Sequence, residues 1–254
     1  MISPLFLAHG SPMLAIEDKS YTRFLKQLGA ELKPDAIVIF TAHWETETIT
    51  VSSHNEVYET IYDFYGFPDE LYTLKYPAKG STAAAKQVTD FFTEHGIQWE
   101  SDQTRGLDHG SWTMLYHMFP AADVPVVQIS VNPFLSPAVQ HSIGAALKEL
   151  SNQNILVIGS GVTVHNLRAV NWDADKSDAW AVEFDEWLVQ QMKENQLQKL
   201  FRYRTEAPYA ELAVPRAEHF VPLFIAMGAG DLSRAQVIYR DYEFGNLSYM
   251  CLSF

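Results

Sequence analysis

Cysteine is almost absent from this 254-residue chain, since Cys251 is the only one. A single cysteine excludes an intrachain disulfide, and it also excludes a metal site built from several thiolates. Chains without disulfides are typical of reducing compartments. We therefore expect a cytoplasmic protein.

Positive charge is also scarce. Eighteen Lys and Arg stand against 31 Asp and Glu, so the formal net charge is −13 at pH 7. The sequence shows no basic cluster, and a chain of this charge repels a polyanion. The composition therefore predicts no nucleic-acid partner.

Long apolar runs are missing too. A membrane-spanning helix needs about 20 apolar residues, and no run in the chain approaches that length. The first residues, MISPLFLAHGSP, carry no Lys or Arg before their short apolar run, unlike a secretory signal peptide. We expect no membrane association and interpret this stretch as a core strand of a cytoplasmic protein.

Short buried strands are what the sequence does contain. They are predicted at residues 4–8, 36–41 and 155–159, and TITVSSH alternates like a strand that is antiparallel or at an edge. Helical patterns lie between these strands, which predicts an α/β sheet covered by helices on both faces. No linker, low-complexity stretch or internal repeat interrupts the pattern. We therefore predict a single domain over residues 1–254.

Helix starts and one long loop complete the predicted outline. Serine caps predict helices that begin near Ser20, Ser81 and Ser136, and the last of them is expected to run to about Leu150. Residues 56–80 place seven aromatic side chains among turn residues. This pattern predicts a long structured loop, and such loops are often functional.

Three histidines follow apolar strands. His9, His43 and His165 each come at the carboxyl end of a predicted strand. Ligands of open α/β sheets bind beyond these ends, and neighbouring parallel strands are only about 5 Å apart. Imidazoles gathered in one place repel each other when protonated, whereas a metal ion holds them neutral. The pattern therefore indicates a metal site.

Two further histidines are candidates for the same site. Pro222 is tolerated only in the first turn of a helix, so a helix is expected to start near His219, and the positive helix end favours a neutral ring there. His109 lies in GLDHGSW, where Asp108 is a possible partner for its ring. The other histidines lack a supporting motif and are interpreted as structural: His54, His95, His117 and His141.

A histidine-rich site without thiolates suits zinc or non-haem iron(II). Two carboxylates, Glu45 and Glu218, could complete a facial triad with two of the histidines. Spacing alone does not choose between the two metals.

Seven stretches together resemble the DODA-type extradiol dioxygenases, which belong to the class III, protocatechuate-dioxygenase-like superfamily of ring-opening enzymes. The stretches keep their order over nearly the whole chain: LAHGSPM, TAHWE, TIYDFYGFPDELYTLKYPAKG, RGLDHGSWTMLYHMFP, VPVVQISV, GSGVTVHNL and EHFVPLFIAMGA. The resemblance implies an α/β domain with a central mixed sheet and one divalent metal ion. It assigns the metal to His9, His43 and His219. It assigns an acid–base role to His165, which is also a possible fourth ligand, and it places His109 beside the substrate and oxygen pocket.

The implied reaction is 4,5-opening of the ring of a DOPA-like catechol with O2 and Fe(II), and Zn(II) is a plausible occupant of the purified protein.

Two positions depart from the family pattern. The protocatechuate branch uses a glutamate as third ligand, so Glu218 stays open beside His219. Tyr62 stands where many DODA-type members have histidine, which bears on ring preference. Glu45 is then expected at the surface or behind the ligands.

Two other functions are compatible with the residues. The same histidines would activate water in a zinc hydrolase. A non-catalytic metal-binding protein could share the fold, because a fold does not determine a function. The sequence does not indicate an oligomeric state.

Overall fold

The computed structural model describes residues 2–254 as one large sheet with helices around it. Eight strands form the sheet in the order β4-β3-β5-β2-β6-β1-β10-β7, and β8 and β9 form a separate hairpin. The strands are β1 (Leu5–Ala8), β2 (Ala36–Glu45), β3 (Ile49–Ser52), β4 (Trp99–Asp102), β5 (Val126–Val131), β6 (Ile155–Gly161), β7 (Gln236–Tyr239), β8 (Tyr242–Glu243), β9 (Leu247–Ser248) and β10 (Cys251–Ser253).

The four central strands, β5, β2, β6 and β1, are parallel. Strand β3 pairs antiparallel with β5 and parallel with β4, and β10 pairs antiparallel with β1 and β7. The central strands are buried on both faces, as parallel strands are. In β2, Ile37 and Ile39 contribute to one core, while Val38 and Phe40 contribute to the core on the opposite face. Alternate side chains of a strand point to opposite faces, so this one apolar run serves two layers.

Helices cover both faces. They are α1 (Ser20–Glu31), α2 (Thr82–Glu94), α3 (His109–Met118), α4 (Pro137–Ala145), α5 (Ala179–Lys193), α6 (Leu197–Phe201), α7 (Tyr203–Glu206), α8 (Ala210–Ala213) and α9 (Val221–Ala229). The first core includes α1 and α3, and the opposite one includes α2, α4 and α9. The predicted α/β class with a central mixed sheet and helices on both faces is therefore confirmed.

One predicted helix is shorter than expected. The helix that begins after Ser136 ends at Ala145, and a 3₁₀ segment, Lys148–Gln153, takes its place. In a 3₁₀ turn residues three apart share a face, so Leu147 and Leu150 both reach the core. None of the described helices is long and apolar enough to cross a membrane.

Candidate metal centre

Two of the predicted histidines lie together at the carboxyl ends of the parallel strands. His9 directly follows β1, and His43 lies inside β2, which is longer than predicted. The pairing of β2 with β5 shifts register between Phe40 and Glu45, so His43 sits in an irregular part of the strand. Strand β6 lies between β1 and β2. The Nε2 atoms of the two histidines are 3.0 Å apart.

His219 completes this group from the segment just before α9. It lies two residues before α9, whose second residue is Pro222, as the sequence predicted. Its ring centroid is 5.0 Å from those of both His9 and His43. One nitrogen of each ring lies within 4.8 Å of the others, which is the spacing of a potential metal site.

The backbone of β6 allows this approach. The amide of Val162 donates to the carbonyl of His219 at 2.8 Å. A Cβ at Gly161 would lie 2.2 Å from that carbonyl oxygen. Only glycine therefore allows the end of β6 to pack so closely against the segment that carries His219.

A hydrogen-bond chain sets the tautomer of His9. Its Nδ1 lies 3.0 Å from the Ser160 hydroxyl, and that hydroxyl donates to the carbonyl of Gly110. A hydroxyl has one proton to donate, so Ser160 must accept from His9 Nδ1–H. The lone pair of His9 is therefore on Nε2, the atom that faces His43.

Carboxylates approach the outer nitrogens of the other two rings. Asp63 Oδ2 is 3.2 Å from Nδ1 of His43, and Glu218 Oε1 is 3.1 Å from Nδ1 of His219. Histidines that bind metals commonly have such carboxylate partners, which orient the ring and raise its basicity. Glu218 is not a member of the group formed by His9, His43 and His219, which favours His219 as the third ligand of that group. Glu218 instead forms a second group of potential ligands with His165 and His219.

The electrostatics of the group fit a divalent cation. Burial and the neighbouring histidines lower the pKa of His9 well below its usual value. The pKa of His219 is lowered for the same reasons. Both rings are therefore neutral at neutral pH, the form that binds metals. Nitrogens about 2.1 Å from one shared metal ion lie roughly 3 Å apart, close to the Nε2 separation of His9 and His43.

His165 stands beside this group rather than in it. It lies four residues beyond β6, and its ring stacks on that of His219 at 3.9 Å. It does not belong to the group formed by His9, His43 and His219. Burial, followed by the proximity of His219, lowers the pKa of His165 to about 3. The ring is therefore neutral at neutral pH, the state in which an imidazole can accept a proton.

His109 is the first residue of α3, and its ring centroid is 4.0 Å from that of His43. The possible pairing of its ring with Asp108 is wrong. The buried Asp108 accepts from Thr41 at 2.7 Å and contacts Arg105 at 3.1 Å. Adjacent side chains point apart at a helix start, which leaves Asp108 with partners from other elements.

Asp63 is the residue that the sequence analysis missed. Its Oδ2 lies 3.0 Å from Nδ1 of His109 and close to His43, and its Oδ1 accepts from the His109 amide at 2.9 Å. Burial raises the pKa of Asp63, but the contacts with His109 and His43 prevail and hold it well below its usual range. The available signal was its position as the only charged residue of IYDFYGFP.

The remaining histidines lie outside the site, as expected. His95 ends α2 and contacts the carbonyl of Phe91 at 2.9 Å. His117 contacts a backbone carbonyl in the core, His54 packs on a tyrosine and His141 packs on a phenylalanine. Glu45 forms a bidentate ion pair with Arg216, in which Nη1 donates to Oε1 at 2.7 Å and Nη2 donates to Oε2.

A cavity of about 490 Å³ opens onto the histidines. Phe64 and Phe67 of the predicted aromatic loop line it, and Trp172 and Phe244 lie on another wall. Tyr62 is turned away, because its hydroxyl donates to the carbonyl of Leu74 at 2.6 Å. Aromatic walls over a floor of histidines suit a flat ring with polar substituents.

Comparisons with known proteins agree with this geometry. A family model described as the catalytic LigB subunit of aromatic ring-opening dioxygenase matches residues 4–251. The protein of Beta vulgaris named 4,5-DOPA dioxygenase extradiol is 39% identical over 96% of this chain and 93% of its own. The protein of that name from Escherichia coli strain K12 is 37% identical, covering 97% of this chain and 92% of its own. The crystal structure of an uncharacterized protein from Escherichia coli K12 aligns with a TM-score of 0.85 at 33% identity, over 100% of both chains.

Proposed function

The chain belongs to the family of the catalytic LigB subunit of aromatic ring-opening dioxygenases, and from this premise we propose that it opens the ring of a catechol with O2 at a divalent metal held by His9, His43 and His219. The resemblance of its sequence motifs is thereby confirmed at the level of the family. The observation that carries the proposal is the convergence of three imidazoles at the floor of an aromatic cavity. The substrate is expected to be a DOPA-like catechol and the cut extradiol, at the 4,5 position.

The metal would supply Lewis acidity toward the catechol oxygens and a site where O2 meets the ring. Iron(II) is the ion expected to support this redox chemistry, and zinc is an expected occupant of protein purified in air. Three protein ligands leave positions free for substrate.

The side chains around the metal would position the substrate and transfer protons. His165, neutral and beside His219, takes the proton of a catechol hydroxyl and returns a proton during ring opening. His109 forms a hydrogen bond to the substrate, with its ring held by Asp63. Phe64 and Phe67 pack against the ring. Both atoms of O2 enter the product as one carbon–carbon bond breaks.

Anaerobic reconstitution with Fe(II), followed by L-DOPA and air, tests this function. One O2 should be consumed for each catechol, and a yellow ring-opened product should form. The His43→Ala variant is the control and should form no product. If the protein instead hydrolyses an ester or amide without air, it is a hydrolase and the proposal is wrong. A metal-loaded protein that turns over neither class of compound would be a metal-binding protein.

A further inference from the structure

A cluster of charged side chains lines the same cavity as the histidines. Lys19 forms ion pairs with Glu17, at 3.0 Å, and with Glu243. All three side chains line the cavity. Within residues 2–254, no other Asp, Glu, Lys or Arg does so. Two carboxylates against one ammonium leave this cluster with one unbalanced negative charge.

The cluster lies close to the metal ligands. Tyr249 donates its hydroxyl to Glu243 at 2.7 Å. The same hydroxyl packs against Gly10, where an added Cβ would lie 2.5 Å from it. Gly10 follows His9 directly and has a φ of +60°, a conformation that glycine adopts readily. One tyrosine therefore links the backbone beside a metal ligand to the carboxylate of Glu243.

Glu243 is held in place rather than mobile. It belongs to the β8–β9 hairpin, and the buried carboxylate of Asp185 anchors both strands of that hairpin. Asp185 accepts from Tyr242 at 2.8 Å and from Ser248 at 2.6 Å. A pre-organised charge binds a ligand with less loss of conformational entropy than a mobile one does.

The rest of this wall also favours a cation. Trp172 and Phe244 line the cavity with ring centroids 4.7 Å apart. The face of an aromatic ring attracts an ammonium group and disfavours a carboxylate. The only cation in the cluster, Lys19, is already shared by two carboxylates, so little remains to attract an anionic ligand.

We propose that the cluster formed by Glu17, Lys19 and Glu243 binds the ammonium group of an amine-bearing catechol and selects against catechols whose side chain carries only a carboxylate. This inference rests on the proposed function for the identity of the ring. The ammonium of the substrate would contact Glu243 and Glu17, while the catechol hydroxyls reach the histidines. The amine, rather than the carboxylate, would then be the group by which a catechol amino acid is recognised.

Turnover by the iron-loaded enzyme tests the selectivity with four catechols that differ mainly in side-chain charge: dopamine, L-DOPA, 4-ethylcatechol and 3-(3,4-dihydroxyphenyl)propionate. The value of kcat/KM should be highest for the two amines and lowest for the carboxylate. Glu243→Gln should lower kcat/KM for both amines about tenfold, the typical effect of losing a charged hydrogen bond, and should lower it much less for 4-ethylcatechol. Glu94→Gln, at an exposed position of α2, is the matched control and should change none of them.

Binding of monophenols separates this inference from the proposed function, because compounds with one hydroxyl are not ring-opening substrates. Calorimetric titration of the metal-loaded protein should show tighter binding of tyramine than of 4-ethylphenol or 3-(4-hydroxyphenyl)propionate. Glu243→Gln should remove that preference. If this holds while no catechol is opened, the ammonium site stands and the dioxygenase proposal fails. If catechols are opened but the variant affects all ligands equally, or the propionate binds most tightly, the ammonium site is wrong.

Discussion

At the scale of single residues, His43 and His165 both come from strand ends but are expected to have different roles. His43 Nε2 points into the three-histidine group, whereas His165 stacks outside it on His219. Replacing His43 with Ala should abolish metal binding, because the two imidazoles that remain are too few to hold the ion. Replacing His165 with Ala should leave the metal content unchanged and slow turnover by about 10²–10⁴-fold, the usual contribution of an acid–base group.

Elemental analysis beside steady-state kinetics distinguishes these two roles. The exposed His95, substituted by Gln, is the control and should change neither quantity. Loss of metal from the His165 variant would make that residue a ligand. Full occupancy in the His43 variant would remove the basis of the proposed centre.

Asp63 is expected to act through the two histidines that it contacts. Asp63→Asn keeps the shape of the side chain but removes the negative charge 3.2 Å from His43 and 3.0 Å from His109. Metal affinity should fall about 10–100-fold, as it does when the carboxylate partner of a metal-binding histidine is lost. Competition with a chelator measures this affinity directly. The exposed Asp123→Asn is the control, and equal affinities for the two variants would show that Asp63 only packs the loop.

The histidines and Asp63 also show what the sequence could and could not reveal about the site. His9 and His43 were predictable because apolar strands placed them at one edge of a sheet. The different position of His165 depends on the path of the chain after β6, which no local pattern encodes. Asp63 lies in a loop positioned by isolated bridges to distant segments, such as Thr60 with Leu107, so its contacts were not predictable from spacing.

At the scale of elements, α4 packs closely on α9, the helix that follows His219, and Gly144 of α4 allows this close contact. A Cβ at Gly144 would lie 1.9 Å from the carbonyl oxygen of Ile225. Helix propensity predicts that Gly144→Ala stabilises α4 by up to about 1 kcal/mol, whereas overpacking predicts a loss of about 1–3 kcal/mol. We expect the loss to dominate because the close neighbour is backbone.

Urea unfolding gives the sign of this change. Gly29→Ala is the matched variant, since its Cβ would lie 2.0 Å from the carbonyl oxygen of Met118 on the opposite face of the sheet. Both variants should be less stable, but only Gly144→Ala should also weaken metal binding, because α9 follows His219. If Gly144→Ala raised the free energy of unfolding, α4 and α9 could move apart to admit the methyl group without loss of stability.

The elements themselves were predictable where burial is strong. The apolar runs of β1, β2 and β6 and the serine caps of α2 and α4 appear where the sequence placed them, whereas α1 begins at Ser20 and has Lys19 as its N-cap. Strand β4 was missed because WESD is polar and largely exposed at the sheet edge, where pairing with β3 rather than side-chain burial defines it. The helices α6 to α8 have four or five residues each, too short for a helical period to show.

At the scale of the whole molecule, both the net charge and the burial of the histidines favour the binding of a cation. The net charge of −13 attracts cations, which suits both a divalent metal and the ammonium-bearing substrate proposed above. Four histidines in or beside the proposed metal site are buried without a counter-charge sufficient to keep them protonated, so their pKa values are lowered: His9, His109, His165 and His219. The metal-free fold must therefore keep several imidazoles neutral.

This requirement predicts that the metal-free protein loses stability in mild acid. In the unfolded chain a histidine titrates near pH 6.5, whereas in the fold His165 titrates at about 3. Between these values the unfolded state binds more protons, so the free energy of unfolding falls as the pH falls. Each histidine that stays neutral in the fold contributes a slope of up to about 1.4 kcal/mol per pH unit below 6.5.

Urea unfolding of the metal-free protein between pH 7.5 and 5.5 measures this slope. The free energy of unfolding should decrease as the pH falls. His165→Gln removes one of the groups that must stay neutral, so it should reduce the slope by up to about 1.4 kcal/mol per pH unit, the contribution of one proton. His95→Gln, at an exposed position outside the site, is the control variant. If the His165 variant kept the full slope, His165 would accept a proton in the folded protein near neutral pH. It could not then remain the neutral base that the proposed chemistry needs.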